Sequence, residues 1–281
     1  MSWFRDVGWR HLAAVTAVLY AIFPLIYVLS ASLSATGRLG DNRLFRTISL
    51  ANYQELLASG NYPYLAWFTN TLVIGLTTSM ITVFMGSAAA YAFSRFRFTG
   101  RRTGLASLLV IQMFPQLLAF IAIFLLLLTF RDVFPVIGLN TRLGLILVYL
   151  GGALGVNTFL MYGFFNTVPR EIDEAAKIDG ASHARIFLTI VLRLVAPVLA
   201  VVGLLSFVGT FSEYLIASLV LQDVPKQTLA VGLFQFISQQ HSERWGMFAA
   251  GSILAAIPVV VLFQFLQRYI VAGLTSGSVK G

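Results

Sequence analysis

The residues equipped for chemistry are few in this 281-residue chain, and their spacing excludes most of what they could do. There is no cysteine, so thiolate nucleophiles, Cys-based metal sites and disulfides are ruled out. His11, His183 and His241 are scattered, and no pair has the short spacing that brings two imidazoles onto one metal ion. No G-x-S-x-G elbow presents a serine nucleophile. No G-x-x-x-x-G-K-[ST] loop is present to cradle nucleotide phosphates, so a nucleotide-driven process would have to draw its energy from another subunit. The expectation is a chain with no catalytic residue, no metal and no cofactor of its own. Two features remain. One is the stretch "PREIDEAAKIDGASHARIF", Pro169 to Phe187, with seven formal charges in nineteen residues. The other is Glu213, an acid inside the apolar run "FVGTFSEYLIASLV".

The elements that must position these residues follow from composition. The chain is 58% hydrophobic with 24 Phe and only 11% charged residues, and its mean hydropathy is +0.84. A soluble domain carries roughly 25% charged residues, so the apolar surplus belongs in a bilayer. About 20 apolar residues are needed to cross it as a helix. Six segments qualify, at 12–33, 68–93, 105–130, 143–165, 194–221 and 245–267, and only 194–221 holds a formal charge, Glu213. The expected fold class is an all-α membrane protein of six transmembrane helices in one domain spanning 1–281. The first run follows a basic start without a small-residue cleavage site and reads as a retained helix.

Six spans place both termini on one side. With that side cytoplasmic, the inner segments hold twelve Lys and Arg and the outer loops seven, in the sense of the positive-inside rule. Topology thus accounts for the net charge of +8 better than nucleic acid does. Pro24, Pro115, Pro197, Pro258 and the glycines of 143–165 are helix-weakening; they serve either ordinary close packing or bending of the helices.

The charged stretch falls in the cytoplasmic segment 168–193. Pro169 suits the first turn of a helix, and Glu171, Asp173 and Glu174 lie near its positive end. Ile172, Ala175, Ala176 and Ile178 read as a narrow apolar stripe. Gly180 is a natural stop, and "SHARIFLTIVLRL" reads as a second short helix. On these grounds alone the cluster is either a solvated loop or a docking surface. Glu213 likewise admits two readings: with Ser212 and Tyr214 it lines a substrate pathway, or it is a hydrogen-bonded packing acid at an interface.

Glu174-Ala175-Ala176, three residues, Gly180, nine residues and Ile190-x-Leu192 resemble the EAA loop of ABC importer permeases. "AYAFSRFRFTGRR", "NTLVIG", "MFPQLL", "IDGAS", "TLAVGL" and "AAIPVVVLFQFLQRYIVAGLTSGSVKG" extend the likeness over nearly the whole chain, toward the maltose-type (MalG-like) carbohydrate branch of binding-protein-dependent importers. Arg193 stands where that family usually has proline, although Pro197 also matches. The resemblance implies a type I importer permease fold with cytoplasmic coupling helices, in which Glu174, Ala175, Ala176, Asp179, Gly180 and Ala181 meet an ATPase. It implies that the tail 271–281, with Gly277 and Lys280, runs toward the ATPase pair; the alternative is a frayed terminus. It implies uptake of a di- or oligosaccharide such as maltose, maltodextrin or trehalose. The implied setting is a prokaryotic inner membrane with both termini cytoplasmic. The implied partners are membrane lipid, a homologous second permease, two ATPase subunits holding ATP and Mg, and an extracytoplasmic sugar-binding protein, with no nucleic acid. The same machine with a glycerol-phosphodiester or polyamine cargo, an ion-coupled secondary transporter and a non-transport scaffold are the rival readings.

Overall fold

The computed structural model describes residues 7–35, 44–58, 60–238 and 244–276, and among these there is no strand. The helices are α1 (Trp9–Ser32), α2 (Ala51–Ala58), α3 (Tyr64–Arg95), α4 (Arg101–Gln112), α5 (Gln116–Val133) and α6 (Arg142–Phe165). They continue with α7 (Arg170–Ile178), α8 (His183–Leu194), α9 (Ala196–Ser212), α10 (Leu215–Val220), α11 (Leu229–Phe234) and α12 (Trp245–Ser276).

The all-α expectation holds, but six continuous spans are not reproduced. Among the described residues three helices are long and apolar enough to cross a membrane: α1, α3 and Trp245–Tyr269 of α12. The number rises to five if two bent pairs each count as one span. The expected span 105–130 is divided at Pro115, whose backbone is extended between α4 and α5. Proline has no N–H to donate and disfavours helix at the residue before it. The expected span 194–221 stops at Ser212, because Glu213 leaves the helical region and its side chain starts α10 instead.

The chain forms two compact units, Met1–Leu65 with Val231–Ile257 and Ala66–Ala230 with Pro258–Gly281. In the first, the apolar length of α1 is left exposed, with Leu19, Tyr20 and Phe23 on its surface. Its C-terminal end is tied down by Asn52, which donates to the carbonyls of Ser32 and Ser34. Tyr64 donates to the Gly251 carbonyl at 2.9 Å.

In the second unit α3 carries a row of small polar residues, Thr71, Thr78, Thr82 and Ser87, buried against its neighbours. Such residues let membrane helices approach closely; at Gly75 the Phe207 ring already stands 3.2 Å from where a Cβ would lie. α6 bends by 52° between Ala153 and Gly155, where its glycines cluster. α8 is wound as a π-helix over Ile186–Val191, and the chain then turns by 81° into α9. Val195 makes that turn and Pro197 lies in the first turn of α9, where a missing N–H costs nothing. The bend therefore forms with Arg193 in the position that is usually proline. Tyr91, Met161, Phe165, Ala176, Ile186 and Val191 share one buried core, so α3, α6, α7 and α8 converge beneath the charged stretch.

Candidate coupling segment and apolar cavity

α7 and α8 are the two short helices expected from the sequence, and their caps show why they start and stop where they do. Glu171 and Asp173 occupy the first turn of α7 and Lys177 the last, each sign suited to its end of the helix dipole. At the far end the N–H of Gly180 donates to the Lys177 carbonyl and that of Ala181 to the Ala176 carbonyl, both at 2.9 Å. That pair of bonds is a Schellman motif. It places Gly180 at φ +80°, a left-handed conformation that favours glycine. Ser182 then caps α8 by accepting from the Arg185 N–H.

Glu174, Ala175, Lys177, Asp179 and Gly180 face outward, while Ala176 is buried and Ala181 half-buried. The expected apolar stripe is split. Ile172 and Ala176 point to the core, but Ile178 is 87% exposed. Six residues at about 100° each carry it to the far side of the helix from Ile172. Ile178 therefore stands on the exposed face of α7 beside the exposed Glu174 and Asp179.

α7 is anchored from behind by Arg95, which in the sequence stands out only as one of the basic residues on the side of the charged stretch. Arg95 ends α3, and its Nε lies 2.6 Å from Asp173 Oδ2. Its guanidinium also donates to the Val168 carbonyl at 2.9 Å. Nothing local in the sequence links positions 95 and 173. The one signal was that Asp173 precedes a glutamate on a helix with a buried face. His183, far from any metal partner, packs its ring edge on Phe96.

The second candidate region is a cavity of about 970 Å³ between α3, α4, α5, α6 and α9. Its wall is mostly apolar, with Thr78, Gln112, Tyr149, Asn157, Thr210 and Glu213 as the main polar groups. Glu213 accepts three hydrogen bonds: Tyr149 OH donates to it at 2.6 Å, and the N–H groups of Ile216 and Ala217 donate at 2.8 and 2.9 Å. Of the three pathway candidates only Glu213 is among the lining residues. Ser212 is exposed and donates to the Val208 carbonyl, and Tyr214 is half-buried off the wall. Tyr149, Gln112 and Asn157 were missed; Asn157, an amide in an apolar run, was the readable signal. Gln112 donates to the Gly152 carbonyl, joining α4 to the bent part of α6.

Beyond α10, Asn140 at φ +66° accepts from the N–H groups of Gln222 and Asp223. Lys226 lies 3.0 Å from Asp223, and its ammonium, then Asn140, hold that carboxyl below the usual carboxylate range. Gly277, Lys280 and His241 lie outside the described residues. Among the described residues no group of three His, Asp or Glu is placed to hold a metal ion.

Among the described residues, helices without strands, several of them long and apolar, two capped short helices on a buried charge anchor and an open apolar cavity suit a membrane transport subunit. The family model for the inner membrane component of binding-protein-dependent transport systems matches residues 82–276, and the chain belongs to that family. It is 43% identical to the maltodextrin transport system permease protein MdxG of Bacillus subtilis (strain 168), over 92% of this chain and 91% of that one. It is 38% identical to the maltose/maltodextrin transport system permease protein MalG of Vibrio vulnificus (strain YJ016), over 96% and 95% of the two chains. Its fold matches a crystal structure of a bacterial ABC transporter involved in import of the acidic polysaccharide alginate, with a TM-score of 0.72 at 24% identity over 95% and 97% of the chains.

Proposed function

We propose that this chain is a permease subunit of an ATP-driven sugar importer, carrying a di- or oligosaccharide of the maltose, maltodextrin or trehalose kind. The observation that carries the coupling part is the exposed face of α7 and its turn, where Glu174, Ala175, Asp179 and Gly180 stand outward on a rigid cap. The sugar assignment is supported by the near-full-length likeness to maltodextrin and maltose permeases.

In this reading a homologous permease completes the pathway and two ATPase subunits, which hold ATP and Mg, dock on the α7 face of each permease. Both termini are cytoplasmic, and the tail with Gly277 and Lys280 runs toward the ATPase pair. A sugar-binding protein docks on the opposite side. Closure of the ATPase pair draws the two coupling segments together, tilts the helices above them and opens the pathway outward; hydrolysis resets it. Glu213, with Ser212 and Tyr214 beside it, belongs to the wall along which sugar passes. Apolar walls with few polar groups suit a sugar, whose ring faces are apolar and whose hydroxyls need partners.

Native co-purification tests the assembly, and uptake of radiolabelled maltotriose into proteoliposomes tests the cargo. Glu174→Lys should release the ATPase and stop uptake. Wild-type import with the ATPase still attached would remove α7 from the coupling role. Uptake driven by a proton or sodium gradient without ATP would replace the whole reading with an ion-coupled one, and import of a glycerol-phosphodiester or polyamine instead of sugar would replace the cargo alone.

A further inference from the structure

α7 and α3 are joined by a buried charge pair that docking alone does not require. Arg95 and Asp173 meet at 2.6 Å with side chains only 6% and 7% exposed. The joint is crossed in both directions. Arg95 donates to the Val168 carbonyl, while Arg170 of α7 reaches back to the Ser94 carbonyl, each at 2.9 Å. The Ser94 hydroxyl donates to Asn166 Oδ1 at 2.9 Å. A cation at the C-terminal end of α3 and an anion in the first turn of α7 suit both helix dipoles. Stability does not explain the pair, because an apolar pair of similar size commonly serves a buried site as well or better. What the ion pair adds is a fixed register between one turn of α7 and one end of α3.

The opposite end of α3 grips a different segment. Trp67 donates to the Val224 carbonyl at 2.7 Å, Asn70 to the carbonyls of Pro225 and Gln227 at 3.0 and 2.9 Å, and Thr71 Oγ1 accepts from the Leu229 N–H at 2.7 Å. Between these ends α3 is one unbroken helix of 32 residues, roughly 48 Å at about 1.5 Å per residue.

We propose that Arg95 and Asp173 are the positioning pair that makes α7 and α3 one moving body, so that displacement of α7 by a docked ATPase reaches segment 224–229 through α3. The inference rests on the coupling reading of α7.

The test uses the assembled transporter in proteoliposomes and benefits from the absence of cysteine in this chain. Spin labels on Glu171→Cys of α7 and Met80→Cys of α3, both exposed positions, report one distance. With Arg95 and Asp173 unaltered, the distance is the same in the nucleotide-free and vanadate-trapped states. In Arg95→Met/Asp173→Leu, which fills the site without charge, the two states differ. That variant keeps its ATPase attached, yet ATP hydrolysed per maltotriose imported rises roughly tenfold, within the usual range of coupling between sites. A distance that already differs between states with the pair unaltered overturns the proposal, and so does an unchanged ATP-to-sugar ratio in the apolar variant. Should the apolar variant not assemble, the unaltered pair still decides through the first measurement. Glu174→Lys separates the two readings. If it leaves attachment and uptake normal, the coupling role fails; if it detaches the ATPase while the wild-type distance shifts between states, the positioning role alone fails.

Discussion

Gly180 is where a single side chain tests the turn between α7 and α8. A Cβ there would meet nothing within 4 Å, so any cost of a side chain is conformational, not steric. Holding an L-residue in the left-handed region costs about 1–2 kcal/mol, and asparagine tolerates it better than alanine does. Gly180→Ala should therefore lower the thermal unfolding temperature of the purified transporter measurably, and Gly180→Asn less. Equal melting for all three proteins would show that the turn does not depend on that conformation. Glu213 makes the opposite kind of test. Its carboxyl group receives Tyr149 OH and two N–H groups of α10. Glu213→Ala strips the cap and leaves the tyrosine hydroxyl without its acceptor, a loss of about 1–3 kcal/mol. Glu213→Gln keeps acceptor oxygen and should lose less; melting curves in which Ala equals wild type would contradict the capping role. The sequence shows both residues, since a glycine after a helix and an acid in an apolar run stand out. It does not show Tyr149 as the partner, because 64 residues separate the two and no local pattern links them.

At the scale of elements, close approach of α4 to α6 depends on Gly155. A Cβ built there lies 2.2 Å from the Gln112 side chain, which is already committed to the Gly152 carbonyl. Gly155→Ala must push Gln112 out of that bond or α4 away from α6, at a cost of about 1–3 kcal/mol as for overpacked cores generally. Adding Gln112→Ala removes the obstacle, so the double variant should be more stable than the sum of the single losses predicts. A double-mutant cycle on thermal stability measures this, and strict additivity would show that the two helices do not meet there. Apolar length alone locates the ends of α1, α3 and α6 within four residues and the start of α12, but it stops nine residues short of the end of α12. It fails at 105–130 and 194–221, for a shared reason. Hydropathy averages over a window and is blind to the single residue that breaks a helix, Pro115 in one case and Glu213 in the other. The pair α7 and α8 was legible because its signals are local: proline at the start, acids in the first turn, glycine at the stop. The anchor beneath it, Arg95 on Asp173, was not, because it joins residues 78 positions apart through the tertiary fold.

At the scale of the whole molecule, α3 sets the topology. Its C-terminal end is joined to α7 and its N-terminal end to segment 224–229, so these two regions lie at opposite ends of one helix. A helix of 32 residues is long enough to cross the roughly 30 Å hydrocarbon core, and a crossing places its two ends on opposite sides. By the positive-inside rule the excess of Lys and Arg around the α7 end predicts that this side faces the cytoplasm. With no cysteine in the chain, single replacements give clean reporters. Lys177→Cys on α7 and Lys226→Cys in the far segment are both at exposed positions. A membrane-impermeant maleimide should label Lys226→Cys in intact spheroplasts and leave Lys177→Cys unlabelled there. Inverted vesicles should give the reverse pattern for both. The two sites probe the ends of one helix, so their labelling must be opposite whatever the overall orientation. Labelling of both from the same face would show that α3 does not cross the bilayer, and with it would fall the cytoplasmic placement of α7 and its access to an ATPase. Opposite labelling with the faces exchanged would keep α3 as a span and overturn only the charge-based orientation.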